Sequence, residues 1–167
     1  VRLFDQWDGF YDFLGVLGGR LYFRTTQGAP RGRVIAVDPA TWAVAEVVPE
    51  APQRLAQASL AGGGVIASYL EDARSRVVLY GGDGRRLRDL PLPGLGTVIG
   101  FPDSPSESET FFAYTDYLTP LALYRYDIAK DAVSLFRRPT VAFDAAPFVT
   151  EQVFFESRDG TRVPMFI

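Results

Sequence analysis

Residues 54–92 read RLAQASLAGGGVIASYLEDARSRVVLYGGDGRRLRDLPL. Helical periodicity is weak in this stretch. Apolar residues fall instead into short runs bounded by turn signals, the pattern of strands that are half or wholly buried. Gly62-Gly63-Gly64 and Gly81-Gly82-Asp83-Gly84 interrupt the runs, and a charged loop is expected from Glu71 to Arg76. What remains is RLAQASL, VIASYL, VVLY and RRLRDLPL, a unit of four strands and three connections.

The same grammar lies on both sides. Upstream come YDFLGVL, Gly18-Gly19, RLYFRTT, the loop QGAPRG, RVIAVD, the turn Asp38-Pro39-Ala40-Thr41 and WAVAEVVP. Downstream come LGTVIGF, the acidic loop PDSPSESE, TFFAYT, DYLTP, LALYRYD, Ala129-Lys130-Asp131 and AVSLFRR. Tyr22, Ile66 and Phe112 occupy the second strands at offsets of 44 and 46 residues. Asp38, Asp83 and the neighbourhood of Ala129 occupy the third-to-fourth turns at offsets of 45 and 46. A four-stranded repeat of this length marks a β-propeller blade. One blade cannot bury both of its faces, so neighbours stack around a central channel. Three units are legible, whereas propellers close with about four to eight, so further blades are expected upstream.

After the third unit, PTVAFDAAPFVT (139–150) reads as a Pro-containing connector. EQVFFESRDGTRVPMFI (151–167) then fits no blade. Asp159-Gly160 between alternating runs signals a hairpin. Val153 and Phe155 alternate with Gln152, Phe154 and Glu156, while Thr161, Val163, Met165 and Ile167 share one face of the return strand. An apolar finish on Met165-Phe166-Ile167 leads to the expectation that the chain continues, since termini are polar and frayed unless something packs on them.

Composition narrows the chemistry. The 167 residues are 47% apolar and 14% aromatic, enough for one globular domain or a piece of a larger protein. A net charge of −3 argues against a nucleic-acid footprint, which shows as a basic domain. No apolar run approaches the length of a membrane span, and VRLFDQWDGF lacks the layout of a signal peptide. Cysteine is absent, so disulfides, thiolate nucleophiles and Cys-based zinc sites are excluded. Histidine is absent too, and so is a Gly-x-Ser-x-Gly elbow. Without an imidazole to carry the serine proton, these residues alone do no Ser-His-Asp chemistry.

The tempting clusters have plainer readings. Asp5, Asp8 and Asp12 lack the alternate-residue spacing of a calcium loop and read as a solvated turn. The two glycine clusters precede no helix and end in no Gly-Lys-Ser/Thr, so they are hairpin turns and not phosphate cradles. Arg85, Arg86 and Arg88 sit beside Asp83 and Asp89 and read as a solvated face. Phe112 and Tyr114 share one strand face with Phe111 on the other, so blade packing on both sides is expected rather than a base-stacking platform. The acidic loop Asp103 to Glu109 is expected to be an exposed excursion. Glu151 and Glu156 lie about 16–17 Å apart on an extended strand, too far for paired acid/base work.

The segment TPLALYRYDIAKDAVSLFRRPTVAFDAAPFVTEQVFFESRDGTRVPMFI resembles the end of the propeller and the crossing into the catalytic domain of prolyl oligopeptidases. Its densest stretches are Val149 to Phe155, Ser157 to Thr161 and Val163 to Ile167. LYFRTTQGAPRGRVIAVD (21–38), FDQWDGFYDFLG (4–15) and GTVIGF (96–101) are similar to earlier parts of the same family, with the middle blade weakest. The resemblance implies an all-β segment: about three blades of a seven-bladed β-propeller, followed by the first β-hairpin of an α/β-hydrolase domain. The expected divisions are 1–138 for the blades, 139–150 for the connector and 151–167 for the hairpin.

The implied activity is that of a serine endopeptidase cleaving short peptides after proline, this segment gating access and docking the catalytic domain. The alternatives are a sister oligopeptidase with basic-residue specificity or a non-enzymatic propeller serving as a binding platform. Phe148 stands where the family has Tyr, which removes a hydroxyl contact. No catalytic, substrate-binding or metal residue carries over, and no cofactor is implied. The expected partners are short proline-containing peptides and the protein's own catalytic domain, with no nucleic acid and no membrane. A full-length monomer in a bacterial cytoplasm or periplasm is expected.

Overall fold

The computed structural model describes residues 3–167, which contain strands and no helix. The first sheet runs β1 (Tyr11–Leu17), β2 (Arg20–Thr25), β3 (Arg33–Val37) and β4 (Val44–Val48). The second runs β5 (Arg54–Ala61), β6 (Gly64–Glu71), β7 (Arg74–Gly81) and β8 (Arg86–Asp89). The third runs β9 (Thr97–Ile99), β10 (Glu109–Thr115), β11 (Ala122–Asp127) and β12 (Ala132–Arg137). In each, spatial order follows chain order and all pairs are antiparallel. A separate hairpin joins β13 (Gln152–Glu156) to β14 (Arg162–Phe166).

The second sheet lies between the other two. From β6, Val65, Ala67 and Tyr69 enter one core with Leu14, Tyr22, Val34 and Val48 of the first sheet. Ile66 turns the other way, into a core with Phe101, Phe112, Tyr114 and Tyr126 of the third. Both faces of β6 are therefore buried, which is why VIASYL reads as a continuous run and not an alternation. Tyr22, Ile66 and Phe112, all in second strands, are buried, but Tyr22 and Ile66 face the sheet that follows their own while Phe112 faces the sheet before it.

The third-to-fourth turns fall where the repeat places them. Asp38 Oδ1 accepts the Ala40 N–H at 2.8 Å, and Asp83 Oδ1 accepts the Arg85 N–H at 3.0 Å. In the third sheet the same duty falls to Asp127, which accepts the Lys130 N–H at 3.0 Å, and Ala129 lies in the third-to-fourth turn as expected. Each carboxylate substitutes for a backbone acceptor as the third strand ends.

Two expectations change and a third is qualified. The charged loop from Glu71 to Arg76 is mostly strand: Glu71 pairs with Arg74 across a two-residue turn. Asp72 and Ala73 make that turn at φ 47° and 62°. Neither is a glycine, so nothing local marked the reversal as only two residues long. Phe111 is not buried as Phe112 is; half-buried, it faces away from the second sheet, with its ring 5.1 Å from that of the exposed Phe136. The acidic loop is largely exposed as expected, but it is also tied down. Asp103 accepts the Leu60 N–H at 2.9 Å, Ser104 N–H bonds the Leu60 carbonyl at 2.9 Å, and the Pro105 carbonyl accepts the Gly63 N–H at 2.7 Å. It stitches the third sheet to the β5–β6 turn. Partial burial pushes the Asp103 carboxyl up, with Asp12 adding to the rise and the Leu60 N–H opposing it.

Two arginines cross between sheets. A bulge between Leu55 and Gln57 leaves Ala56 out of the ladder, and its carbonyl accepts the Arg24 guanidinium. Arg24 also pairs with Asp12 at 3.4 Å. Arg88 is not part of a solvated face: its Nε lies 2.9 Å from Asp131 and 3.2 Å from the Tyr126 hydroxyl, and its Nη2 reaches the Ile128 carbonyl. Hydrogen bonds to charged groups are worth about 1.5–3 kcal/mol each when buried, and less here at the rim. Arg88→Met is expected to cost about 1–2 kcal/mol in denaturant unfolding, with coupling to Asp131→Asn in a double-mutant cycle.

A docking face at the turn-bearing end

Three strand connections gather at one end of the sheets: β2–β3, β6–β7 and β10–β11. The hairpin sits there. Gln152 Nε2 donates to the Asp72 carbonyl at 2.6 Å, bridging 80 residues of sequence. The Phe166 ring lies 5.3 Å from Tyr117 at an interplanar angle of 38°. Between them is a cleft of about 260 Å³ lined by Ala73, Gly96, Thr97, Asp116, Tyr117 and Phe166.

Local chemistry holds both sides of this contact. Asp116 organises the β10–β11 turn, accepting the Leu118 and Thr119 N–H groups at 2.9 and 2.6 Å and the Tyr114 hydroxyl at 2.8 Å. Burial works against its ionisation, but the Tyr114 hydroxyl and those N–H donors outweigh it and hold the carboxyl below its ordinary range. A depressed folded pKa contributes stability that is fully present above the unfolded value of about 3.9 and is lost as pH falls through the folded value. Stability should therefore fall with pH below about 4, and Asp116→Asn should flatten that slope in urea titrations at pH 2–5.

Within the hairpin, Val153, Phe155, Val163 and Met165 fall on one face as expected, since Val153 pairs with Met165 and Phe155 with Val163. Gln152, Phe154 and Phe166 share the other. Arg162 lies over the Phe154 ring at 3.5 Å. Asp159 caps the turn through the Ser157 hydroxyl and the Thr161 N–H, which lowers its pKa to about 2. Residues 139–150 form no strand and are mostly exposed. Phe148, the position without a hydroxyl, stacks on Phe143 at 5.6 Å.

The weighed clusters do not assemble into a site. Asp8 accepts the Tyr11 hydroxyl at 3.0 Å, and Asp12 lies in β1 against Arg24, so the three aspartates do not form one solvated turn. Among the described residues, no three acidic side chains converge to hold a metal ion. Gly62 and Gly63 make the β5–β6 turn at positive φ, and Arg86 pairs with Asp89 at 2.8 Å. The arrangement positions and holds; among the described residues it brings together no nucleophile and base. Sequence reasoning missed Asp72, Gln152 and Tyr117, which carry no motif.

Residues 1–139 match the family model of the prolyl oligopeptidase N-terminal β-propeller domain. The prolyl endopeptidase of Elizabethkingia miricola is 32% identical over 95% of this chain and 23% of its own length. A prolyl endopeptidase structure concerned with inter-domain dynamics in catalysis and specificity superposes with a TM-score of 0.85 at 32% identity, over 98% of this chain and 25% of that one. Prolyl oligopeptidase B from Galerina marginata, bound to a 25mer macrocyclization substrate, superposes at 0.82 with 26% identity, over 98% and 24%. The chain spans about a quarter of the length of the relatives it matches.

Proposed function

This chain belongs to the prolyl oligopeptidase family, and from that premise we propose that it is the propeller side of a serine endopeptidase that cleaves short peptides after proline. In this reading residues 1–138 are the closing blades of a seven-bladed propeller, 139–150 the connector, and 151–167 the first hairpin of the α/β-hydrolase domain. The catalytic serine, aspartate and histidine lie outside these residues, which contain no histidine. The segment's own work is to seat the catalytic domain and restrict entry to short peptides.

The observation that carries the reading is the seat of the hairpin. A two-stranded element belonging to none of the three sheets rests on their turn-bearing end through Gln152 and Phe166. The full-length protein is expected to hydrolyse a blocked proline-containing peptide on the carboxyl side of proline, and a fluorophosphonate should abolish that activity. Folded protein substrates should remain uncut. Cleavage after arginine or lysine instead would favour the sister specificity, and no hydrolysis of either peptide would refute the reading.

A further inference from the structure

We infer that the cleft between the β2–β3 connection and the start of β5 receives the C-terminal carboxylate of a peptide whose last residue is apolar. The cleft holds about 320 Å³, the lower end of the range for small-ligand pockets. Phe10, Pro30 and Leu55 give it apolar walls. Three more of its lining residues are arginines, Arg24, Arg31 and Arg54, and none is acidic.

The three arginines are not equivalent. Arg24 is already paired: Asp12 lies 3.4 Å from it, and the Ala56 carbonyl accepts one of its N–H groups. Arg31 and Arg54 are exposed, and among the described residues neither guanidinium has an ion pair or a hydrogen bond. Their backbones are neighbours, because the Arg31 carbonyl accepts the Leu55 N–H at 2.7 Å. Glu50 accepts the Arg31 backbone N–H at 2.6 Å and pairs with neither guanidinium. Two unpaired guanidiniums therefore border one cleft, each a fork that matches a carboxylate.

The cleft is formed without a ligand. The Ala29 N–H bonds the Thr26 carbonyl at 3.1 Å and the Gly32 N–H bonds the Ala29 carbonyl at 2.8 Å, which fixes the loop. The Thr26 hydroxyl accepts the Phe10 N–H at 2.9 Å, and its own proton has no acceptor among the described residues. Phe10 is 55% exposed, so its ring has area to offer an apolar side chain. The last residue of a peptide carries an apolar side chain and a carboxylate on one carbon, the two groups this cleft matches. An acidic side chain in mid-chain brings the charge without the apolar group. The cleft lies at the end of the sheets where the hairpin rests, since β5 begins beside the β6–β7 turn. That the peptide is a substrate or product rests on the functional reading above; the carboxylate preference does not.

The test is equilibrium binding to the full-length protein by ligand-observed NMR, with acetyl-Ala-Ala-Leu as free acid and as C-terminal amide. Neither contains proline, so no cleavage is needed. The parent should bind the acid about three- to tenfold more tightly at low salt, the scale of two contacts to exposed arginines. Arg31→Gln and Arg54→Gln should each reduce that preference, and the double variant should bring it to about one. Neither change removes a side-chain contact within the described protein, so the fold is kept. Arg20→Gln, at an exposed arginine outside the cleft, should retain the preference. Acid and amide bound equally by the parent, or a preference that survives in the double variant, would overturn the assignment. So would equal discrimination between the amides of acetyl-Ala-Glu-Leu and acetyl-Ala-Gln-Leu, which would make an internal acidic side chain the ligand. If the parent hydrolyses no proline peptide, the functional reading falls while the binding result still decides the cleft.

Discussion

Replacing Phe112 with alanine lowers stability by about 3–5 kcal/mol, while the same change at Phe111 costs about 1 kcal/mol on this chain. The two residues are adjacent on β10 and point in opposite directions. Phe112 is 2% exposed, lies 5.3 Å from Phe101 and stacks on Tyr124 at 5.5 Å. Its removal leaves a cavity that the rigid sheets around it fill poorly. Phe111 has solvent on one side and Phe136 on the other. Guanidinium unfolding of the two variants checks the assignment of faces. The proposed propeller adds a second expectation: with a neighbouring blade over Phe111, Leu123 and Phe136, the cost at Phe111 rises toward that at Phe112. Equal small costs at Phe111 in this chain and in the full-length protein would argue that no blade covers that face.

Gly84→Ala is the second large effect, at about 2–4 kcal/mol. Gly84 has φ +86°, and a Cβ there would stand 2.4 Å from the Val47 carbonyl oxygen. Left-handed strain accounts for about 1–2 kcal/mol of the loss. The rest comes from pushing the β7–β8 turn away from β4, which separates the first two sheets. Gly63→Ala is the control, because φ is +75° but nothing lies within 4 Å of the added carbon. It should cost about 1 kcal/mol, strain without collision. Similar losses for the two variants, measured by thermal unfolding, would show that the Val47 contact yields freely.

The strands and most turns were legible because their causes are local. Alternation over five to eight residues, glycine at sharp reversals and aspartate ahead of a turn act within a few bonds of themselves. The errors came where a local signal was missing or misleading. Arg74 and Arg76 looked like loop because they are charged, yet they lie in β7, and Arg76 pairs with Asp89 of the adjacent strand at 3.3 Å. The acidic loop is largely exposed, as its charge suggested, but its charge gave no sign that Asp103 also serves the Leu60 N–H.

The docking face was not legible at all. Gln152 is an ordinary polar residue at the start of a strand, and its acceptor is a backbone carbonyl, which any residue could supply. Arg88 reads as one of three exposed arginines, and only the approach of the β11–β12 turn shows it bonded to Asp131 and Ile128.

By itself, then, the order of residues determined the all-β class, the four-strand repeat, the hairpin at 151–167 and the absence of an imidazole. Those follow from strand periodicity, turn chemistry and composition, none of which needs a distant partner. The tertiary structure alone decided which face of β10 is core, where the acidic loop is tied, and that the hairpin rests on Asp72 and Tyr117. Such choices depend on groups far apart in the chain, and a polar side chain carries no record of which acceptor the packed sheets will place before it.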